Sequence, residues 1–306
     1  MTRLHRSTAL LVGAALVLTA CADKKNHSTP QASSSSTTAP PVAVPAVSVD
    51  AIDYGYSVSG TATAGVTKIT FTNKGQDFHM MGVARLKDGK TVQDFLAALK
   101  TDDEADDAAV QADPDETVDG LPSVLTPGAS STTYATLQTG TYALVCFFPG
   151  KDDGQPHFLK GMVNALTVTA STGTPVEPAA QAEVTTTDTK LTVPDLTSGK
   201  GTYKYTNSGT TTHSLIFVKL HDGKTFDEMV AWLDKYFQGQ AKLDDRPGDV
   251  WGGVEATAKT AWFDLDLPPG KYLALDTESP DSAGDADGKE FFRDAQGGLR
   301  AEFTVA

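Results

Sequence analysis

Cysteine is scarce in these 306 residues: only Cys21 and Cys146 are present. Long hydrophobic runs are missing as well. The stretch from Ala9 to Leu18 covers about half of the ~20 apolar residues that a membrane-spanning helix needs, and nothing later is long enough. Basic residues are outnumbered, with 25 Lys and Arg against 39 Asp and Glu and a formal net charge of -14. That balance excludes a nucleic-acid or anionic-lipid surface as the default reading, since both need basic patches. No Gly-x-Ser-x-Gly, His-Glu-x-x-His or phosphate-binding glycine loop occurs, so hydrolase and nucleotide chemistry have no anchor.

What is present begins with Arg3 and Arg6, the apolar run, and small residues up to Cys21. This is the pattern of a secretory signal over residues 1–20. Leu18-Thr19-Ala20-Cys21 resembles the lipobox of bacterial lipoproteins. The resemblance implies an acylated Cys21 and a lipid-anchored protein outside the cytoplasmic membrane. An ordinary cleavage site that contains a cysteine is the plainer alternative. If Cys21 carries lipid, Cys146 has no disulfide partner, and a lone thiol in an oxidising compartment is a liability unless buried or bound.

Residues 21–46 are rich in Ser, Thr, Pro and Ala and read as a flexible tether; residues 171–183 read as a linker. Between and after them lie two segments of domain size, 47–170 and 184–306. They are an internal repeat. Phe71-Thr-Asn73-Lys-Gly75-Gln-Asp-Phe-His79 aligns without a gap with Tyr205-Thr-Asn207-Ser-Gly209-Thr-Thr-Thr-His213. Leu86-Lys-Asp-Gly-Lys-Thr91 matches Leu220-His-Asp-Gly-Lys-Thr225, and Gly140-Thr-Tyr142-Ala-Leu-Val-Cys146 matches Gly270-Lys-Tyr272-Leu-Ala-Leu-Asp276. The copies end alike, with Gly161-Met162 opposite Gly298-Leu299.

Val66 to Phe71 and Thr202 to Tyr205 alternate apolar with polar residues, as half-buried strands do. Each is followed by Asn-x-Gly, a turn in which glycine tolerates positive φ and asparagine bonds its own backbone. Strands at short intervals predict an all-β sandwich or barrel in each copy. Thr91-Val-Gln-Asp94 and Thr225-Phe-Asp-Glu228 read as N-capping boxes. They predict one short helix per copy, packed across an edge of the sandwich.

The string apolar-x-Asn-x-Gly-x-x-x-His, then Gly-x-Tyr-x-apolar-x-Cys, then His-x4-Met resembles the cupredoxins, the blue-copper fold. The resemblance implies two tandem cupredoxin-like Greek-key β-sandwiches. It also implies one copper ion in the first, held by His79, Cys146, His157 and axial Met162. A thiolate and two imidazoles suit copper, with a long thioether bond on the axis. Small cupredoxins leave two to four residues between the cysteine and second histidine, whereas Phe147 to Pro156 makes ten. Copper nitrite reductases are similar in that respect, but Val145 stands where those enzymes carry a histidine for a second copper. Each ligand also has a plainer reading: His79 bonded to a turn backbone, as His213 would be, and Cys146 and Met162 as core residues.

The second copy has His213 but replaces the other three positions with Asp276, Asp294 and Leu299, and so reads as degenerate. One imidazole and two carboxylates at a common point would suit a harder ion; packing or partner contact is the blander role. Asp102 to Asp107, continuing to Asp119, reads as a hydrated loop, and Asp285 to Glu290 as a solvated turn rather than a calcium loop. The expected function is one-electron transfer or copper holding without enzymatic activity. Electrons would leave by the His157 edge, inside an apolar docking patch of Phe147, Phe148, Pro149 and Phe158, toward a basic redox or copper-trafficking partner. The rival is a metal-free binding or structural module of the cell envelope.

Overall fold

The computed structural model describes residues 44–101, 109–112, 118–171, 176–210, 213–237, 240–256, 260–276 and 299–306. The signal, Cys21, most of the tether, the run from Asp102 to Asp107, the stretch from Asp285 to Glu290 and Asp294 lie outside the described residues. Among the described residues no helix is long and apolar enough to cross a membrane.

The first copy runs β1 (Ala46–Ile52), β2 (Gly55–Gly60), β3 (Ala62–Thr63), β4 (Gly65–Asn73), β5 (Gly82–Arg85), α1 (Val92–Leu99), β6 (Leu121–Pro122), β7 (Ser130–Leu137), β8 (Gly140–Val145) and β9 (Val163–Thr169). The second runs β10 (Ala182–Thr187), β11 (Lys190–Thr192), β12 (Lys200–Asn207), β13 (His213–Leu220), α2 (Phe226–Phe237), β14 (Gly248–Ala256), β15 (Thr260–Asp266), β16 (Gly270–Asp276) and β17 (Arg300–Val305). The fold is all-β with a helix in each copy, as expected. The repeat extends to pairing: β1 lies parallel to β4, and β10 lies parallel to β12 in the matching register, Val49 with Phe71 and Val184 with Tyr205.

Each copy is a sandwich because alternate residues of two sheets meet. Val47, Val49, Ile69 and Phe71 pack with Tyr142, Leu144, Leu166 and Val168 in the first copy. Val184, Tyr203, Tyr205 and Phe263 pack with Leu215, Phe217 and Tyr272 in the second. The sandwiches share a sheet. β7 pairs antiparallel with β15, giving one eight-stranded sheet in the order β11-β10-β12-β15-β7-β4-β1-β2. Across this seam Lys68 pairs with Asp264 at 2.7 Å, and Thr202 donates to the same carboxylate at 2.7 Å.

Both capping boxes form. Asp94 N donates to Thr91 Oγ1 at 3.2 Å and Glu228 N to Thr225 Oγ1 at 3.3 Å, with the carboxylates reaching back to the threonine amides. The helices lie on outer sheet faces, not across sandwich edges. Phe95 and Ala98 of α1 cover Ala143 and Val145 of β8. The apolar string Leu215-Ile-Phe-Val218 of β13 is therefore buried on both faces: Leu215 and Phe217 face the second sandwich, and Ile216 and Val218 join α2. From there α2 reaches the first copy. Tyr236 meets Phe78 at 5.5 Å and Phe148 at 6.0 Å between ring centroids, and Trp232 meets Phe78 at 6.1 Å.

Magnitudes decide what joins the copies. Surface ion pairs such as Lys68 with Asp264 contribute about 0–1 kcal/mol, whereas each large apolar side chain buried by α2 contributes about 1.5–3 kcal/mol. Burial of Trp232, Tyr236 and their neighbours therefore dominates. Trp232→Ala is expected to lower stability by about 3–5 kcal/mol. Urea denaturation measures it, and a loss below about 1 kcal/mol would mean that α2 is not a main joint between the copies.

Candidate metal centre

The centre is built where β4 ends. Asn73 closes the turn by accepting from Gly75 N at 2.9 Å through its side-chain oxygen, while its amide nitrogen donates to the Asp77 and Leu125 carbonyls. Gly75 is needed for a reason other than the expected positive φ, since it is not among the positive-φ glycines. A Cβ there would stand 2.3 Å from Asp53 Oδ1 and 2.5 Å from His79 Nε2. The glycine thus makes room for a carboxylate–imidazole contact of 2.6 Å. His79 does not use the turn backbone through its ring, as the plainer reading had it.

Cys146 follows β8 in the inward register of Tyr142 and Leu144 and is fully buried. The ten residues after it form a closed excursion. His157 N donates to Phe148 O at 3.0 Å, Gly150 N to Gln155 O at 2.9 Å, and Pro149 sits opposite Pro156. The loop thereby returns His157 beside Cys146, where Phe158 N donates to Cys146 O at 2.9 Å. A 3-10 turn, His157–Lys160, ends at Gly161 with φ 98, a left-handed value suited to glycine. The chain then turns so that Cys146 N donates to Met162 O at 3.3 Å. Met162 is fully buried in the same core as Cys146.

Three ligand atoms converge. His79 Nδ1 and His157 Nδ1 are 3.1 Å apart, and Cys146 Sγ is 3.4 Å from His157 Nδ1 and 4.0 Å from His79 Nδ1. All three side chains are inaccessible to solvent, and together they form a group able to hold a metal ion. A point equidistant from the three atoms lies about 2 Å from each, close to the ~2.0–2.3 Å of first-row metal–imidazole and metal–thiolate bonds. A soft thiolate with two imidazoles is a donor set suited to copper, so the residues fit that ion.

The far ring nitrogens explain the near ones. His79 Nε2 meets Asp53, and His157 Nε2 lies 3.3 Å from Asp77 Oδ2, within ion-pair reach though off the line of a good hydrogen bond. Carboxylates beside the Nε2 atoms favour protons there, the tautomer in which both Nδ1 atoms offer lone pairs to the same point. Burial pushes His79 below its ordinary value, and repulsion from His157 adds to this against the pull of Asp53. Burial alone would raise Asp77, but His157 and the amides of Lys151 and Phe78 hold it below the usual range. Burial pushes the Cys146 thiol up to about 11, partly offset by the amides of Met80 and Phe148 and the Tyr56 hydroxyl.

Asp53, Asp77 and Tyr56 had not been singled out from sequence. One signal was available: Asp77 belongs to the copy that also has a second histidine, and Thr211 stands at its aligned position. Two expectations fail here. His157 has no exposed edge, and the tilted ring of Tyr54 lies against it at 4.8 Å between centroids. Phe148 is turned inward against Phe78 and Tyr236, leaving Phe147, 43% exposed, as the outward aromatic, with half-buried Phe158 edge-on to it.

The second copy keeps the scaffold and changes the chemistry. Gly209 N donates to Asn207 Oδ1 at 2.8 Å, and Asp276 N donates to Leu299 O at 3.0 Å. His213 is bracketed by carboxylates, Nδ1 lying 2.7 Å from Asp276 Oδ2 and Nε2 lying 3.4 Å from Asp188 Oδ1. His213 and Asp276 do converge; Asp294 lies outside the described residues, and Leu299 is a core residue.

A scan of protein-family models finds no match, and none is found among curated proteins. Solved structures do resemble the chain. An auracyanin from Roseiflexus castenholzii is 19% identical over 40% of this chain and 94% of its own, with a TM-score of 0.27. A multicopper oxidase is 14% identical over 85% and 88%, with a TM-score of 0.22. A copper nitrite reductase from Nitrosomonas europaea is 13% identical over 85% and 93%, with a TM-score of 0.22. Scores of this size leave the site to be read from its own atoms. One expectation is nevertheless corrected: with an oxidase and a reductase among the similar structures, the absence of enzymatic activity no longer stands.

Removing one partner of the buried His213–Asp276 pair leaves the other uncompensated. Asp276→Ala is expected to cost about 3–5 kcal/mol of stability, and Asp276→Asn, which keeps the shape, less. Chemical denaturation of both variants measures this, and equal losses would remove the role assigned to the carboxylate charge.

Proposed function

We propose that this protein would hold one copper ion through His79, Cys146 and His157, with the buried Met162 thioether as the fourth donor, and serve in one-electron transfer or copper holding. We further propose that it does so outside the cytoplasmic membrane, tethered through lipid on Cys21. Segments 47–170 and 184–306 would be its two domains, the second without copper. The observation that carries the reading is the meeting of two Nδ1 atoms and one Sγ in a dry interior.

Copper bound there would supply one-electron cycling in a ligand set that suits both of its oxidation states. The chain's own residues do the rest. Asp53 and Asp77 orient the imidazoles through their far nitrogens. Burial keeps water from the three donors, and the closed 147–156 excursion fixes the spacing from thiol to second imidazole. A partner would approach over Phe147 and Phe158, and the net charge of -14 favours a basic surface on it.

The test uses the full chain carrying Cys21→Ser, so that Cys146 is its sole thiol. Added Cu(II) should give the intense visible absorption of a copper–thiolate bond, and Cys146→Ala should abolish it. No absorption, or absorption that survives Cys146→Ala, ends the copper reading. A second expectation follows from the raised thiol. With its pKa pushed up to about 11, Cys146 is protonated at neutral pH, so loading must expel that proton. Apparent copper affinity should therefore climb about tenfold per pH unit between about pH 7 and 9. Competition titration against a chelator of known pH dependence would read this, and a flat affinity would exclude a thiolate ligand.

A further inference from the structure

Tyr54 stands at the turn between β1 and β2, one residue after the Asp53 that holds His79. Its ring covers His157 at 4.8 Å between centroids, with an interplanar angle of 53°. It is strapped down from outside. Lys160 Nζ donates to the Tyr54 hydroxyl at 3.2 Å, lies 4.4 Å from the centroid of the same ring, and pairs with Asp153 Oδ1 at 2.8 Å. Three segments are joined in this way: the first hairpin turn, the excursion after Cys146, and the 3-10 turn that carries His157.

The burial of His157 is unexpected from its surroundings alone. Two residues on, Leu159 is 42% exposed, so the turn itself lies at the surface. His157 is nevertheless inaccessible, with the tilted Tyr54 ring against it. The ten-residue excursion gains a purpose, since it supplies Asp153 to the strap and donates Lys151 N to Asp77 Oδ2 at 2.8 Å.

We propose that Tyr54, strapped by Lys160 and Asp153, is the cover of the His79–Cys146–His157 centre, so that a metal ion reaches or leaves it only when the cover lifts. The inference rests on the copper reading above and names its regulation: a gate on exchange. A cation over an aromatic ring and a partly exposed ion pair are individually weak contacts. The cover therefore slows exchange without forbidding it.

The test has one readout that needs no metal. In the metal-free full chain carrying Cys21→Ser, diethyl pyrocarbonate modifies accessible imidazoles, and peptide mass spectrometry gives the rate at each histidine. His221, whose side chain is 43% exposed, serves as the internal reference. His157 should react slowly in the parent chain, about tenfold faster in Tyr54→Ala and by a smaller factor in Lys160→Met. The His221 rate should not change. Lys160→Met leaves the buried core intact and decides the case if Tyr54→Ala loosens the fold. The second readout is transfer of bound Cu(II) to a chelator, which should accelerate in the same order. Equal His157 rates in the parent and both variants overturn the cover, even where the copper–thiolate absorption is normal. A protected His157 that Lys160→Met releases, in a chain without that absorption, upholds the cover and removes copper.

Discussion

Two imidazole nitrogens confront each other at 3.1 Å beside a sulfur in a dry interior. With Asp53 bonded to one far nitrogen and Asp77 beside the other, protons are favoured on the far sides, and the facing pair is then lone pair to lone pair. In a low-dielectric interior that is unfavourable, and a positive charge between them reverses the sign. The turn at Asn73, the absence of a side chain at Gly75, and the return of the chain from Phe147 to Pro156 all serve to hold this arrangement.

Much of the fold was legible in the sequence, because period-two strands, capping boxes and Asn-x-Gly turns act over a few neighbouring residues. His79, Cys146 and His157 were legible as a set through the motif string that resembles the cupredoxins, and the altered second copy, which keeps only the first of them as His213, drew attention to the other two. Asp53 and Asp77 were not, since a carboxylate's use depends on which ring it meets through space. The shared sheet was equally hidden: nothing in Ser130–Leu137 or Thr260–Asp266 marks those strands as partners. The reason for Gly75 was misread because a turn glycine has two uses, a left-handed backbone or an absent Cβ, and sequence does not separate them.

The two copies form an internal comparison. Both hold a buried histidine through an aspartate on a hairpin turn, His79 with Asp53 and His213 with Asp188. In the second copy the Asp276 carboxylate stands 2.7 Å from the inner nitrogen. In the first copy that nitrogen faces a neutral thiol and another imidazole. A carboxylate beside that nitrogen in one copy, and a thiol with a second imidazole in the other, thus differ by few substitutions on a common scaffold.

The seam between β7 and β15 bears on what the second copy does for the first. Pulling the copies apart would leave β7 and β15 each with a bare row of amides and carbonyls, an invitation to unintended strand pairing. It would also strip α2 from Phe78 and Phe148, the rings flanking two of the candidate ligands. Loss of the second half would therefore act on the first as a wound in its wall, independent of any chemistry the second half has of its own.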